Sequence, residues 1–494
     1  MFARVPALLV VALLAGCSSG GDAADDVPVS LASNDEMFEW VQELWRIGDE
    51  SEYGYRMPGS DADVEGTAYV FEKFEEIGLV DVFQEPVSIR TQFPSEWGLE
   101  VVSGETTTAI SSHFLRYSKL TPEAGVTADM VYVGEGSAAE FDEAGDVAGK
   151  IVVVDATAAP TPVLFLSATY SVFEYDPAGT LEGDNAYENF PPRNLTPSFQ
   201  EAAARGAVGL VAILTFTVDD NNQYLHWYDR EGLIPGLSIS PNDGDSLRSM
   251  LADGPVQATM TLTGTEGVGD SYNVYGTVPG RNYGTDEDEF IAVQSHHDGW
   301  ATNDASGMAV VFALAQYYAQ MPRESRRYSI LFFGYGSHFG LLEEGEVGSF
   351  IGRKNPEHIY DLILADKVRF AAPIEMIGKQ YKVVDRQYVE TGLPAPRAFM
   401  TNPELPAAIL QAAEEAIIEH DYDRSNIAVD FFNGEPKKWE DLVPTVGLIS
   451  HNAPQFTSAD TPDTVMKSDL SKTAAVYVDI IDAAQEAFEA DASP

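Results

Sequence analysis

The residues best equipped for chemistry stand at the ends of apolar runs in the second half of the chain. His296, His297 and Asp298 close EFIAVQSHHD, and Asn303-Asp304-Ala305-Ser306-Gly307 opens the long apolar stretch that follows. A His two residues before an Asp can bind a metal through its imidazole while the carboxylate orients the ring. That spacing offers His296 as a candidate metal ligand and Asp298 as its orienting group, beside the alternative of a structural histidine. Asp304 reads either as a further ligand or as the N-cap of the next helix. Ser337-His338 ends RRYSILFFGYGSHFG, and Glu343-Glu344 comes five residues after His338. Glu375 sits in the otherwise apolar FAAPIEMIG, where a carboxylate must be paired, hydrogen-bonded or bound to a cation. HNAPQFTSADTPDT adds His451 and Asp460. His296, Asp304, His338 and Glu375 form a set of imidazole and oxygen donors without thiolate, which suits zinc better than manganese or iron.

These residues need a scaffold, and the apolar pattern supplies one. From Tyr272 onward, buried strands (EFIAVQSHHD, RRYSILFFGYGSHFG, KVRFAAPIEMIG, LVPTVGLIS) alternate with helices (ASGMAVVFALAQYYAQM and LSKTAAVYVDIIDAAQEAFEA). Such alternation predicts an α/β fold with a mostly parallel, mixed sheet covered by helices on both faces. Chemistry in these sheets sits beyond the carboxyl ends of the strands, where the polar clusters fall. Further upstream, Met37, Trp40, Val41, Leu44 and Ile47 recur at helical spacing behind Asn34 or Asp35 as cap. A second helix, TAYVFEKFEEIGL, ends at Gly78. Between them and the α/β part, MVYVGEG, KIVVVDA and GLVAILTF alternate with Gly, Pro and Asp turns, the texture of an inserted β-rich module.

The chain of 494 residues carries 29 Lys+Arg against 78 Asp+Glu, a formal net charge of −49. That field repels phosphate backbones and excludes nucleic acid as a partner. Its 45% hydrophobic and 11% aromatic content excludes wholesale disorder. A single Cys excludes an internal disulfide and any multi-thiolate metal site. That Cys is Cys17, behind MFARVPALLVVALLAG, a short apolar run with the form of a secretory signal and a lipoprotein cleavage box. Cys17 is therefore the expected lipidation site, which places the protein outside the cytoplasm and anchors it by lipid to a bacterial membrane. The domain bounds read as a lipoprotein signal peptide (1–16), a flexible tether (17–33), the N-terminal part of the main domain (34–93), an inserted domain (94–264) and the remainder of the main domain (265–494).

In its motifs the chain, from about Asn34 to the C-terminus, resembles an M28-family metallopeptidase of the membrane-ectodomain type with an inserted protease-associated (PA) domain. The likeness is carried by RMPGS before EEIGL, by GKIVVVD, AAARGAVGLV and IPGLSIS in the insert, and by SYNVYGTVPG. It continues through HHDGW, NDASGMAVV, ILFFGYGSHFGLL, IEMIG and TSADTPDTV, in that order. The resemblance implies a zinc-peptidase/phosphorylase-like sheet, a pair of zinc ions, a glutamate general base and peptide substrates. Position by position, it puts the first ligand on His296 and the orienting Asp on Asp298. The metal-bridging Asp falls on Asn303, with Asp304 adjacent. The Glu-Glu pair falls on Ser337 and His338, or on Glu343 and Glu344 if the loop carries an insertion. Under that second alignment Glu343 is the candidate base. The next acidic ligand falls on Glu375 and the last His on Phe456, with His451 the nearest stand-in. With neutral Asn303 at the bridging position, one zinc ion is expected rather than two.

Two functions follow. One is a membrane-anchored, metal-dependent hydrolase of peptide or small amide substrates, aminopeptidase-like, with an altered site. The other is a catalytically inactive ectodomain that binds a peptide or protein in the same cleft. Neither reading specifies an oligomeric state.

Overall fold

Two long strands, Val80–Ser103 and Val256–Val278, run antiparallel over nearly their full length and join the two parts of the chain. In the computed structural model both belong to a 12-stranded mixed sheet. Pro94 faces Gly264 in this ribbon, and the pairing continues past them to Ser103 and Val256, so the 94–264 segment begins and ends within the ribbon. The register slips there, between Pro94 and Glu96. Gly264 is demanded by close approach, because a Cβ would stand 2.2 Å from the Phe93 carbonyl oxygen. The structure describes residues 29–158, 161–163, 169–187, 194–216, 218–219, 233–299, 305–342 and 357–490. Cys17, Asn303, Asp304, Glu343 and Glu344 lie outside the described residues. Leu31–Pro494 forms a single compact unit.

On one side of the ribbon, Val126–Tyr132, Ile151–Ala156, Gly209–Leu214 and Gly236–Ile239 lie parallel. Alternate residues face opposite ways, as a period of two requires. Ile151 and Val153 pack with Leu247, whereas Val152 and Val154 pack with Phe199. On the other side, Ser329–Tyr335, Phe290–His296 and Val368–Pro373 are parallel, and Val256–Val278 is antiparallel to the first of them. Ile291, Val293, Ile330 and Phe332 face a core built with the helices Asn34–Asp49, Asp61–Ile77, Ser306–Ala319 and Leu470–Ala490. Ala292, Leu331 and Phe333 pack on the opposite face with Ile359 and Trp439. Both faces are thus covered, which is why these strands read as near-continuous apolar runs. A smaller sheet has the order Val446–Ile449, Arg397–Thr401, Ser425–Val429, Ser171–Tyr175. Its last strand comes from the 94–264 segment, which therefore contacts the main body beyond the ribbon as well.

Two helix starts differ from the sequence pattern. Ser33, rather than Asn34 or Asp35, caps the first helix, its Oγ accepting the Glu36 N–H at 3.2 Å. The second helix begins at Asp61, ahead of Thr67, because Ser60 Oγ accepts the Asp63 N–H at 3.3 Å. It ends at Gly78, whose φ of 92° is left-handed. Among the described residues no helix is long and apolar enough to cross a membrane.

Candidate metal centre

Parallel strands deliver the site at their carboxyl ends. His296 is the last residue of Phe290–His296 and sits beside Tyr335 in register. His338 lies in the turn just after Ser329–Tyr335, and Glu375 just after Val368–Pro373. A fourth residue, Glu435, opens the short 3-10 turn Glu435–Trp439. Strand alternation splits the His-His pair. His296 enters the site, while His297 turns away and donates from Nε2 to the Tyr272 carbonyl at 3.1 Å.

The geometry is built from two imidazole–carboxylate contacts side by side. His296 Nδ1 is 3.3 Å from Asp298 Oδ1, and its Nε2 is 3.6 Å from Glu375 Oε1. Asp298 Oδ2 accepts the Phe339 N–H at 2.7 Å. The His338 ring stacks on His296, centroids 4.1 Å apart at 20°. His338 Nδ1 lies 2.6 Å from Glu435 Oε1, off the axis of an ideal hydrogen bond. Glu435 Oε1 also accepts Lys438 Nζ at 2.7 Å, and Oε2 accepts Gln294 Nε2. The Glu435 N–H donates to Glu375 Oε2 at 2.8 Å. Gly434 permits this approach, since a Cβ there would stand 2.3 Å from Glu375 Oε2.

Burial pushes each carboxyl up, and its partners bring it back down. Asp298 is lowered to about 2 by the His296 hydrogen bond and charge. Lys438 and His338 hold Glu435 well below the usual carboxylate range, and His296 with His338 lowers Glu375. His338 is itself lowered, by burial first and then by the charges of His296 and Lys438. His338 is thus a neutral imidazole among ionised carboxylates, the protonation state that ligation of a metal requires.

Distances decide how the donors are used. Two ligands each about 2 Å from one tetrahedral ion stand about 3.3 Å apart. The 3.6 Å between His296 Nε2 and Glu375 Oε1 matches this spacing. One donor atom from each of His296, His338 and Glu435 falls within 4.8 Å of the others. The 2.6 Å between His338 Nδ1 and Glu435 Oε1 is too short for co-ligands through those atoms, so Glu435 holds His338 instead. Among the described residues the donors that come together are those of His296, His338 and Glu435, with Glu375 beside His296.

The other sequence-derived positions make contacts of their own, His451 within reach of the Glu375 charge. Phe456 carries no donor and packs with Tyr55, Met57 and Phe339, its ring edge-on to Phe339 at 5.7 Å. His451 Nδ1 contacts Gln455 Oε1 at 2.7 Å. Asp460 Oδ1 accepts the Thr464 hydroxyl at 2.9 Å and closes a turn. The Ser337 carbonyl accepts the Gly340 N–H, closing the turn that carries His338. The residues that sequence reasoning overlooked are Gln294, Glu435 and Lys438. NGEPKKWE reads as a solvated charged loop, and an acid and a base three apart mark any exposed turn.

The architecture is shared along nearly the whole chain with solved aminopeptidases. BSAP, a zinc aminopeptidase from Bacillus subtilis, matches with a TM-score of 0.64 at 15% identity, covering 92% of this chain and 95% of that one. A peptidase M28 precursor from Shewanella amazonensis SB2B matches at 0.61 and 21% identity, covering 92% and 96%. The aminopeptidase from Aneurinibacillus sp. strain AM-1 matches at 0.59 and 19%, covering 91% and 93%. No family model matches the chain, and no curated protein does. The class defined here is a mixed α/β, zinc-aminopeptidase-like fold. Within it, this chain places a pair of stacked imidazoles, His296 buried and His338 partly so, at the carboxyl ends of the strands.

Proposed function

We propose that this protein is a metal-dependent hydrolase of peptide or related amide bonds, aminopeptidase-like, working with a single zinc ion. The observation that carries the reading is the cluster of His296, His338 and Glu435, with Glu375 beside His296, at the strand ends of a fold shared with zinc aminopeptidases. Zinc, when bound, lowers the pKa of a coordinated water and polarises a carbonyl. The chain's own residues do the rest. Asp298 holds His296 by its Nδ1 so that Nε2 faces Glu375. Glu435, kept ionised by Lys438, holds the His338 ring. Phe339, edge-on to both imidazoles at 5.3 and 4.5 Å, excludes water from that side. Glu343 is the proposed base. The 94–264 segment is proposed to be a PA-like domain that helps select substrate, and Cys17 a lipid anchor holding the protein outside the cytoplasm.

A second reading is the non-catalytic peptide- or protein-binding ectodomain. It is favoured by Phe456 at the last expected ligand position and by the engagement of both Glu435 oxygens with protein donors. A peptide-library digest with metal-free and zinc-loaded protein separates the two. Cleavage by the zinc-loaded form alone, lost in His296→Ala, is the expected result. Intact peptides with both forms, together with measurable peptide binding, would establish the binder.

A further inference from the structure

We propose that Arg116 and Tyr117, consecutive residues of the 94–264 segment, are positioning residues that clamp the turn carrying His338 and so set its imidazole for the metal. The inference rests on the metal-dependent reading above and deepens it. Arg116 is buried, 2% exposed. Its Nη1 donates to the Phe339 carbonyl at 3.1 Å and its Nη2 to the Pro58 carbonyl at 3.2 Å. A guanidinium can hold two carbonyls at once because its donors form a rigid planar fork. The next residue grips the same turn from another point, Tyr117 Oη accepting the Leu341 N–H at 3.2 Å. Between these contacts the Phe339 N–H goes to Asp298 Oδ2, the carboxylate that also meets His296. The peptide groups that follow His338 are thus held by side chains of the 94–264 segment, and through Asp298 the hold extends to His296.

The backbone of the clamp is itself constrained. Tyr117 has a φ of 62°, in the left-handed region that a ring-bearing residue adopts only where its surroundings hold it there. Gln92 supplies the hold. Its Oε1 accepts the Tyr117 N–H at 2.7 Å, and its Nε2 donates to the Ser118 carbonyl at 2.5 Å and to Glu266 Oε1 at 2.9 Å. Gln92 and Glu266 face each other across the two long strands. The ribbon therefore fixes Arg116 and Tyr117 in the conformation that presents both side chains to Phe339 and Leu341.

The test is zinc affinity by calorimetry, joined to amide hydrogen exchange of the metal-free protein. Arg116→Lys keeps the charge and gives up the fork, so it isolates geometry from electrostatics. It should weaken zinc binding about 10-fold, the lower range for groups that orient metal ligands. Tyr117→Phe, which loses only the hydroxyl, should weaken it in the same direction. Both variants should speed exchange of the Phe339 and Leu341 amides. Leu247→Ala opens the core of the same segment at a fully buried side chain. It should leave zinc affinity within about two-fold of wild type, as expected of an independent site. Unchanged zinc affinity in folded Arg116→Lys and Tyr117→Phe, or an equal loss in Leu247→Ala, would overturn the inference. No zinc in wild type would instead remove the metal-dependent reading, and the exchange experiment would then decide whether the clamp holds the turn. Should Arg116→Lys fail to fold, Tyr117→Phe carries the test.

Discussion

Nδ1 of His338 lies 2.6 Å from Oε1 of Glu435, although the two residues come from separate connections at the same end of the sheet. The contact mirrors that between His296 and Asp298, at 3.3 Å. Each imidazole is thus held by its own carboxylate, an arrangement that orients metal-binding histidines and fixes which ring nitrogen is presented.

If the imidazole pair is the metal-binding element, removing either ring should empty the site. His296→Ala and His338→Ala are expected to retain less than about a tenth of the zinc kept by wild type after dialysis, by elemental analysis. Peptide cleavage should fall in step. Full zinc retention in both variants would place the metal elsewhere.

Acid should destabilise the fold well before the carboxylates titrate. Burial lowers His297 and His451 from 6.5 to about 4. The unfolded chain takes up these protons below pH 6.5 while the native state resists until about 4, so their stabilisation is complete above 6.5 and lost as pH falls through 4. Each group contributes roughly 3 kcal/mol over that window. Below it, Asp298, lowered to about 2, extends the loss. Urea unfolding from pH 7 to pH 4 should show the slope, and His451→Gln should flatten it. An unchanged slope in that variant would contradict the account.

Asp63 should act in the opposite sense. It is fully buried, its Oδ2 accepts the Gly59 N–H at 2.8 Å, and burial raises its carboxyl to about 8 against bonds from Gly59 and Ser271. A raised folded pKa means stability that is present below 3.8 and lost as pH rises through 8. Asp63→Asn cannot titrate, so its stability relative to wild type should grow by about 1.4 kcal/mol per pH unit between 4 and 8. Parallel stability curves for the two proteins would refute this.

The 94–264 segment is locked to the main body by a buried ion pair. Asp184 accepts Arg424 Nη2 and Gln380 Nε2, with Lys382 Nζ 3.2 Å from its other oxygen. Arg424 is fully buried, so Asp184→Ala should strand its charge and cost about 3–5 kcal/mol. Proteolysis within 94–264 should accelerate in that variant. A loss below about 1 kcal/mol, the range of a surface pair, would show that the pair does not hold the segment.

Much of the scaffold was legible from local pattern alone. Apolar runs marked the strands Phe290–His296, Ser329–Tyr335 and Val368–Pro373, because a strand covered on both faces has no polar side to interrupt it. His296, His338 and Glu375 were visible as polar groups at strand ends, where a parallel sheet gathers its chemistry. Helix starts were less legible, since Ser33 and Ser60 act through single side-chain bonds that several neighbouring residues could have made.

What the amino-acid order determined was therefore which segments are buried and which polar residues end them, since both depend on spacing along the chain. The tertiary structure alone decided that Glu435 and Lys438 join the two imidazoles and that Phe456 stands among aromatic rings. The reason is physical: an acid and a base three residues apart look alike on a solvated turn and in a sealed core. Only the packing of distant strands around them sets the dielectric, and with it whether that pair merely decorates a surface or carries part of a buried charge balance.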